Sequence, residues 1–219
     1  MSGPAGTAPH PTARGLLVWM QSNPGRLRAL LDREAEGSDD LAPAGDPAVR
    51  AHLDLVAEAL AANAAPAAAA ALERFAAGLP ELLDARAAAV DEEMGRVGAA
   101  HSFEIDLQFG EEARDDPGIH AMLERRVRIA AWTRVFLDGL DEARPGRAPI
   151  GPRVLAWMGE RQVQLADTIF AMDRRAKEGE IARGGPDAVA NPEVVNRIGQ
   201  AAMLQAHTRF LVEGLAEHV

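Results

Sequence analysis

The chain has no cysteine, no tyrosine and a single lysine (Lys177), and its aromatics are limited to three Trp and six Phe in 219 residues. Without thiols, disulfide frameworks, Cys-ligated zinc, iron–sulfur clusters and cysteine nucleophiles are excluded together, and the composition fits a reducing cytoplasm. Few aromatics disfavour β-sheets, which draw on aromatic and β-branched side chains. No run approaches the roughly 18 apolar residues that mark a membrane span, so no membrane partner is expected. The first eleven residues, Met1 to Pro11, are rich in Pro and Gly and lack the apolar centre of a signal peptide. They read as a disordered tail. Positive charge is also scarce: 23 Lys and Arg face 33 Asp and Glu, a formal net charge of −10. Nucleic-acid binders neutralise phosphates with basic surface, so that partner is not expected either.

What the chain has in quantity is alanine, 45 of 219 residues. Alanine has the highest helix propensity, and the expectation is an all-α fold. The use of Arg in place of Lys, with the Ala, Gly and Pro content, fits a GC-rich bacterial coding sequence.

Along the chain, Leu16 to Met20 opens a first apolar segment, and a second helical stretch runs from about Arg26 to Glu36. A loop from Gly37 to Gly45 leads to Asp46-Pro47, which reads as a helix start. Asp accepts from the free amides at an N-cap, and Pro at the first helical position loses no hydrogen bond. Leu53, Val56 and Leu60 continue one face at helical spacing. Ala64 to Ala71 is an alanine run broken by Pro66, and a further helix is expected from about Pro80 to Val97. Asp116-Pro117 and Asn191-Pro192 repeat the cap signature, opening helices expected to reach about Glu142 and nearly the C-terminus. Gly146 to Gly151 reads as a breaker, and one long helix is expected from Pro152 to about Glu178.

Laying residues 117–142 on 192–217 without a gap gives seven identities in 26 positions, among them Thr133/Thr208, Gly139/Gly214 and Leu140/Leu215. Leu17-Val18-Trp19-Met20 also echoes Leu155-Ala156-Trp157-Met158. The pattern suggests a helical hairpin used two or three times, with units 12–79, 80–143 and 152–219. The expected architecture is a single all-helical domain over 12–219, a bundle of about six to seven helices.

One segment departs from this pattern. From Phe103 to Phe109 apolar and polar residues alternate, and period two would place Phe103, Ile105, Leu107 and Phe109 on one face of a strand. A short strand-like segment is therefore expected over 102–109, the alternative being an irregular connector or a short helix whose apolar residues cap the bundle. A lone strand leaves its backbone groups unpaired, so it would seek a partner chain or a second copy.

Motifs for chemistry are sparse. No Walker A, dinucleotide fingerprint or nucleophile elbow occurs. Among six histidines no HExxH or ExxH pattern occurs; His120 with Glu124, one turn apart, is the nearest fragment of a metal site. Glu104, Asp106, Glu111, Glu112, Asp115 and Asp116 lack the order of a calcium loop and suit a solvated helix N-terminus. Arg125, Arg126, Arg128 and Arg134 form a basic patch expected to pair with acids of neighbouring helices. No catalytic residue, cofactor or resident metal is expected. The expected function is a non-enzymatic interaction or regulatory protein working through protein contacts or self-association at Phe103, Ile105, Leu107 and Phe109. Two alternatives stay open. One is a helical small-molecule-binding domain with an apolar pocket near Trp132, Trp157 and His207. The other is an enzyme or metalloprotein with a bundle-core site using His120, Glu124 and His207.

Overall fold

The computed structural model describes residues 47–109 and 117–218, together with Val18; it describes side chains at all of these except 96–109, 117 and 118. The expected tail over 1–11, the loop over 37–45 and, Val18 apart, the helices expected before it lie outside the described residues. The described part is an all-α bundle of six α-helices: α1 (Pro47–Ala62), α2 (Pro66–Phe109), α3 (Pro117–Glu142), α4 (Gly151–Gly159), α5 (Gln162–Gly184) and α6 (Pro192–His218). A 3-10 turn, Pro186–Val189, joins α5 to α6. None of the described helices is long and apolar enough to cross a membrane.

α1 is the central helix. Val49, Leu53, Val56, Ala57, Ala59 and Leu60 are all buried, and it packs against α2, α3 and α6. Full burial of each Leu or Val is worth about 1.5–3 kcal/mol, so a helix buried nearly all round anchors the bundle. Asn63 ends it, its side-chain amide donating to the Ala59 carbonyl at 2.8 Å.

The helix expected from about Pro80 to Val97 is longer at both ends: α2 starts at Pro66 and runs through Pro80 to Phe109. A proline inside a helix removes one backbone hydrogen bond and costs about 3 kcal/mol. Pro80 itself is exposed, while Phe75, Leu79 and Leu83 on either side are buried. Burial of three large apolar side chains outweighs that cost. Arg50 of α1 also fastens this region, donating to the Pro80 carbonyl at 3.2 Å and pairing with Asp84 at 2.6 Å.

The strand-like segment is likewise corrected. Residues 102–109 form the end of α2, and no strand occurs among the described residues. A helix satisfies its backbone groups internally, whereas a lone strand needs a neighbour; the local alternation does not supply one. At 3.6 residues per turn, alternating positions do not gather on one face.

The single long helix expected from Pro152 is two, α4 and α5, separated at Glu160 and Arg161. Arg161 leaves helical geometry with φ −112° and ψ 20°. α4 receives its cap from a distance. The Asp141 carboxylate, at the end of α3, accepts from the Ile150 and Gly151 amides at 2.8 Å each. A Cβ on Gly151 would sit 2.9 Å from that carboxylate, so glycine is needed for the close approach. α6 begins as expected: Asn191 Oδ1 accepts from the Glu193 amide at 2.9 Å.

α3 and α6, the helices whose sequences superpose, bury matching positions. Thr133 and Thr208, and Leu140 and Leu215, are buried. Gly139 lies against Leu82 and Phe75 of α2; Gly214 lies against Val154 and Trp157 of α4. Trp132 and Phe136, both fully buried, complete the main core, with Phe136 edge-on to Phe75 at 5.3 Å.

Candidate functional site: a cleft between four helices

The main feature outside the core follows from helical spacing. α3 presents Met122, Arg126, Ala130, Arg134 and Asp138 in an i, i+4 row, with Leu123, Val127, Ala131 and Val135 beside it. α2 supplies Arg86, Ala89, Val90 and Glu93; α5 supplies Gln162, Leu165, Ala166, Ile169 and Phe170; α6 supplies Met203 and His207. Each set recurs every three or four residues and so forms one face of its helix. Together they line a cavity of about 780 Å³. Ligand pockets run from roughly 300 to 1,000 Å³.

Two features open this space. Alanine occupies Ala89, Ala130, Ala131 and Ala166, where larger side chains would fill the gap. In addition, α5 packs on α6 and the 3-10 turn, and Leu165 is its one buried residue. Its Val163 and Phe170 remain 76% and 72% exposed, Phe170 at the cleft rim.

The lining is mostly apolar, with Val90, Val127, Ile169 and Met203 among its walls, and its charged residues are Arg86, Glu93, Arg126, Arg134 and Asp138. Arg86 is paired with Glu142 at 3.4 Å. Arg134 and Asp138, both exposed, make no hydrogen bond or ion pair among the described residues. They are one turn apart in the order basic then acidic, the less favourable orientation for an i, i+4 pair.

His207 forms part of the floor. Its Nε2 is buried without a hydrogen-bond partner among the described residues. Burial, and then the positive charge of Arg126, push its pKa down to about 4, so the ring is neutral at pH 7. His207 also borders a void of about 10 Å³ shared with His52 and Thr208. There Thr208 Oγ1 donates to the Leu204 carbonyl at 2.8 Å, so its lone pair accepts from His52 Nδ1, also at 2.8 Å. His52 therefore carries its proton on Nδ1, leaving Nε2 a buried acceptor without a partner among the described residues.

The expected site residues separate as follows. Of Trp132, Trp157 and His207, only His207 lines the cleft. Trp132 is core, and Trp157 is half-buried against Phe210 at 6.0 Å, with the Arg161 guanidinium 4.2 Å over its ring. Both are structural anchors, the common use of a large aromatic. The side chains of Phe103, Ile105, Leu107 and Phe109, and the acidic cluster from Glu104 to Asp116, lie outside the described residues. Glu124 accepts from Arg128 at 2.6 Å, and His120 is exposed; no three His, Asp or Glu converge as metal ligands among the described residues. The basic patch divides around α3. Arg125 donates to Gln200 of α6 at 2.9 Å, Arg128 pairs within its own helix, and Arg126 and Arg134 enter the cleft.

Sequence reasoning missed most of the lining, Asp138 and Phe170 included, and above all the small residues Ala89, Ala130 and Ala166. Their only signal is alanine recurring on faces that carry large apolar residues one turn away. No family model matches the chain, and no curated protein or solved structure is found similar to it.

Proposed function

We propose that the chain is a non-enzymatic binding protein that holds a small molecule with an apolar body in the cleft between α2, α3, α5 and α6. One observation carries the reading: a cavity of about 780 Å³ whose lining is mostly apolar, with a few charged side chains among it. That combination of an apolar wall with a few polar groups is what drug-sized ligands occupy. The test is a titration with Nile red, a neutral apolar dye that fluoresces on entering such a site. The wild-type protein binds it, while Ala130→Trp and Ala166→Trp, which add bulk from exposed positions, weaken binding at least tenfold with the far-UV spectrum unchanged. A wild-type protein that does not bind the dye, or variants that bind it equally, would refute the reading.

A second reading, association through protein contacts, draws on Val163 and Phe170, exposed on α5 beside the cleft. Ala130→Trp separates the two, because it adds its bulk from α3 and leaves Val163 and Phe170 of α5 unsubstituted.

A further inference from the structure

The unpaired charges at the rim point to the chemistry of the occupant. Arg134 and Asp138 both line the cleft, both lack a partner among the described residues, and carry opposite charges. They stand one turn apart on α3, about 6 Å along the axis. Asp is too short and wrongly ordered to reach back to Arg across that turn with ease. The other charges are differently placed: Arg86 is held by Glu142, and Glu93 and Arg126 each have an interaction of their own. A ligand bearing only a carboxylate would meet Arg134 but also the repulsion of Asp138. A ligand bearing only an ammonium would meet the reverse. A head with both charges close together satisfies both groups at once, and the apolar run from Val127 and Ala130 to Leu165 and Ile169 takes its tail.

We infer that the occupant is a free zwitterionic amphiphile, an apolar chain ending in adjacent cationic and anionic groups, with its anion at Arg134 and its cation at Asp138. The inference rests on the cleft being a ligand site. The neutral state of His207 agrees with it, since the floor beneath the apolar body then carries no charge of its own.

The experiment compares four probes of one chain length by calorimetry, below their micelle concentrations: dodecyl betaine, laurate, dodecyltrimethylammonium and dodecanol. Dodecyl betaine binds at least tenfold tighter than the other three. Arg134→Gln brings it to the level of the ammonium probe, and Asp138→Asn brings it to the level of laurate. Each variant leaves dodecanol binding unchanged, which shows that the cleft is intact. Equal binding of all four heads, or preference for either single charge, overturns the inference while leaving the cleft reading in place. Binding of neither Nile red nor any C12 probe sinks both. Co-sedimentation with phosphatidylcholine vesicles without binding of the monomeric betaine would place the head in a membrane and also overturn it.

Discussion

Acidification from pH 7 to pH 5 tests the buried histidines. His52 is 2% exposed, and its one observed hydrogen bond runs from Nδ1 to Thr208. A second proton would fall on Nε2, which is buried and has no acceptor among the described residues. Burial, and secondarily Arg125, push the pKa from 6.5 to about 4. The folded value lies below the unfolded one, so between them the unfolded chain takes up a proton that the folded chain refuses. Stability from this group is complete above pH 6.5, falls as the pH drops toward 4, and levels off below 4. One pKa unit corresponds to about 1.4 kcal/mol, so the full loss is about 3 kcal/mol, with about 2 kcal/mol of it in force at pH 5. His207, shifted in the same direction to about 4, adds a similar amount. The pair together remove about 4 kcal/mol by pH 5, a large share of the roughly 5–15 kcal/mol of an ordinary domain. Asp54 runs the other way: burial raises its pKa, so on acidification the folded chain takes up this proton before the unfolded chain and offsets part of the loss in both proteins alike. Urea denaturation followed by circular dichroism at pH 7, 6 and 5 measures the loss. His52→Asn keeps a donor toward Thr208 and removes the titration. Its loss between pH 7 and pH 5 should be about half that of the wild-type protein, whatever its stability at pH 7. An equal loss in both proteins would show that His52 does not refuse the proton, and the burial argument would fail.

Two further substitutions examine how the helices are joined. Asp141→Ala removes the acceptor for the Ile150 and Gly151 amides and should cost about 1–2 kcal/mol in a denaturant titration, the usual worth of a helix cap; no loss would mean that water replaces the carboxylate there. Gly78→Ala meets nothing within 4 Å and should raise stability by about 0.5–1 kcal/mol, whereas Gly214→Ala would press on Val154 at 3.1 Å and Trp157 at 3.2 Å and should bring no gain. Equal thermal midpoints for the two variants would contradict the close packing of α6 on α4.

Some of this architecture can be read from residues near one another in the chain. Alanine content foretells helix, and Asn191-Pro192 foretells the start of α6, because a cap is a local interaction with the amide two residues on. Pro80 misleads for the opposite reason. Its local cost is outweighed by Phe75, Leu79 and Leu83, whose burial depends on helices elsewhere in the chain. The α4–α5 break carries no proline, and the cap at the start of α4 comes from Asp141, nine residues before Ile150, so neither is a local signal. At the site, His207 is legible as a histidine on a long helix, but its neighbours are not. Arg126 and Arg134 belong to the cleft, and Arg125 and Arg128 do not, because each residue turns about 100° around α3. Only the position of α5 decides which of those directions faces a space.

The abundance of alanine and the presence of a cleft have one physical cause. Alanine stabilises a helix through its backbone but fills little volume beyond it. Helices rich in alanine therefore form readily yet close against one another only where larger residues supply contact. α1 supplies them with Val49, Leu53, Val56 and Leu60, and it is enclosed by three helices. Between α3 and α5 the facing positions are Ala130, Ala131 and Ala166, and there the walls stay apart. Filling such a space with leucines would gain about 25 cal/mol for each Å² of apolar surface removed from water. The chain forgoes that gain while leaving Phe170, 72% exposed, at the rim. Under the proposed function, an apolar ligand would recover the same burial on binding, and the stability the bundle forgoes would become the driving force for its binding.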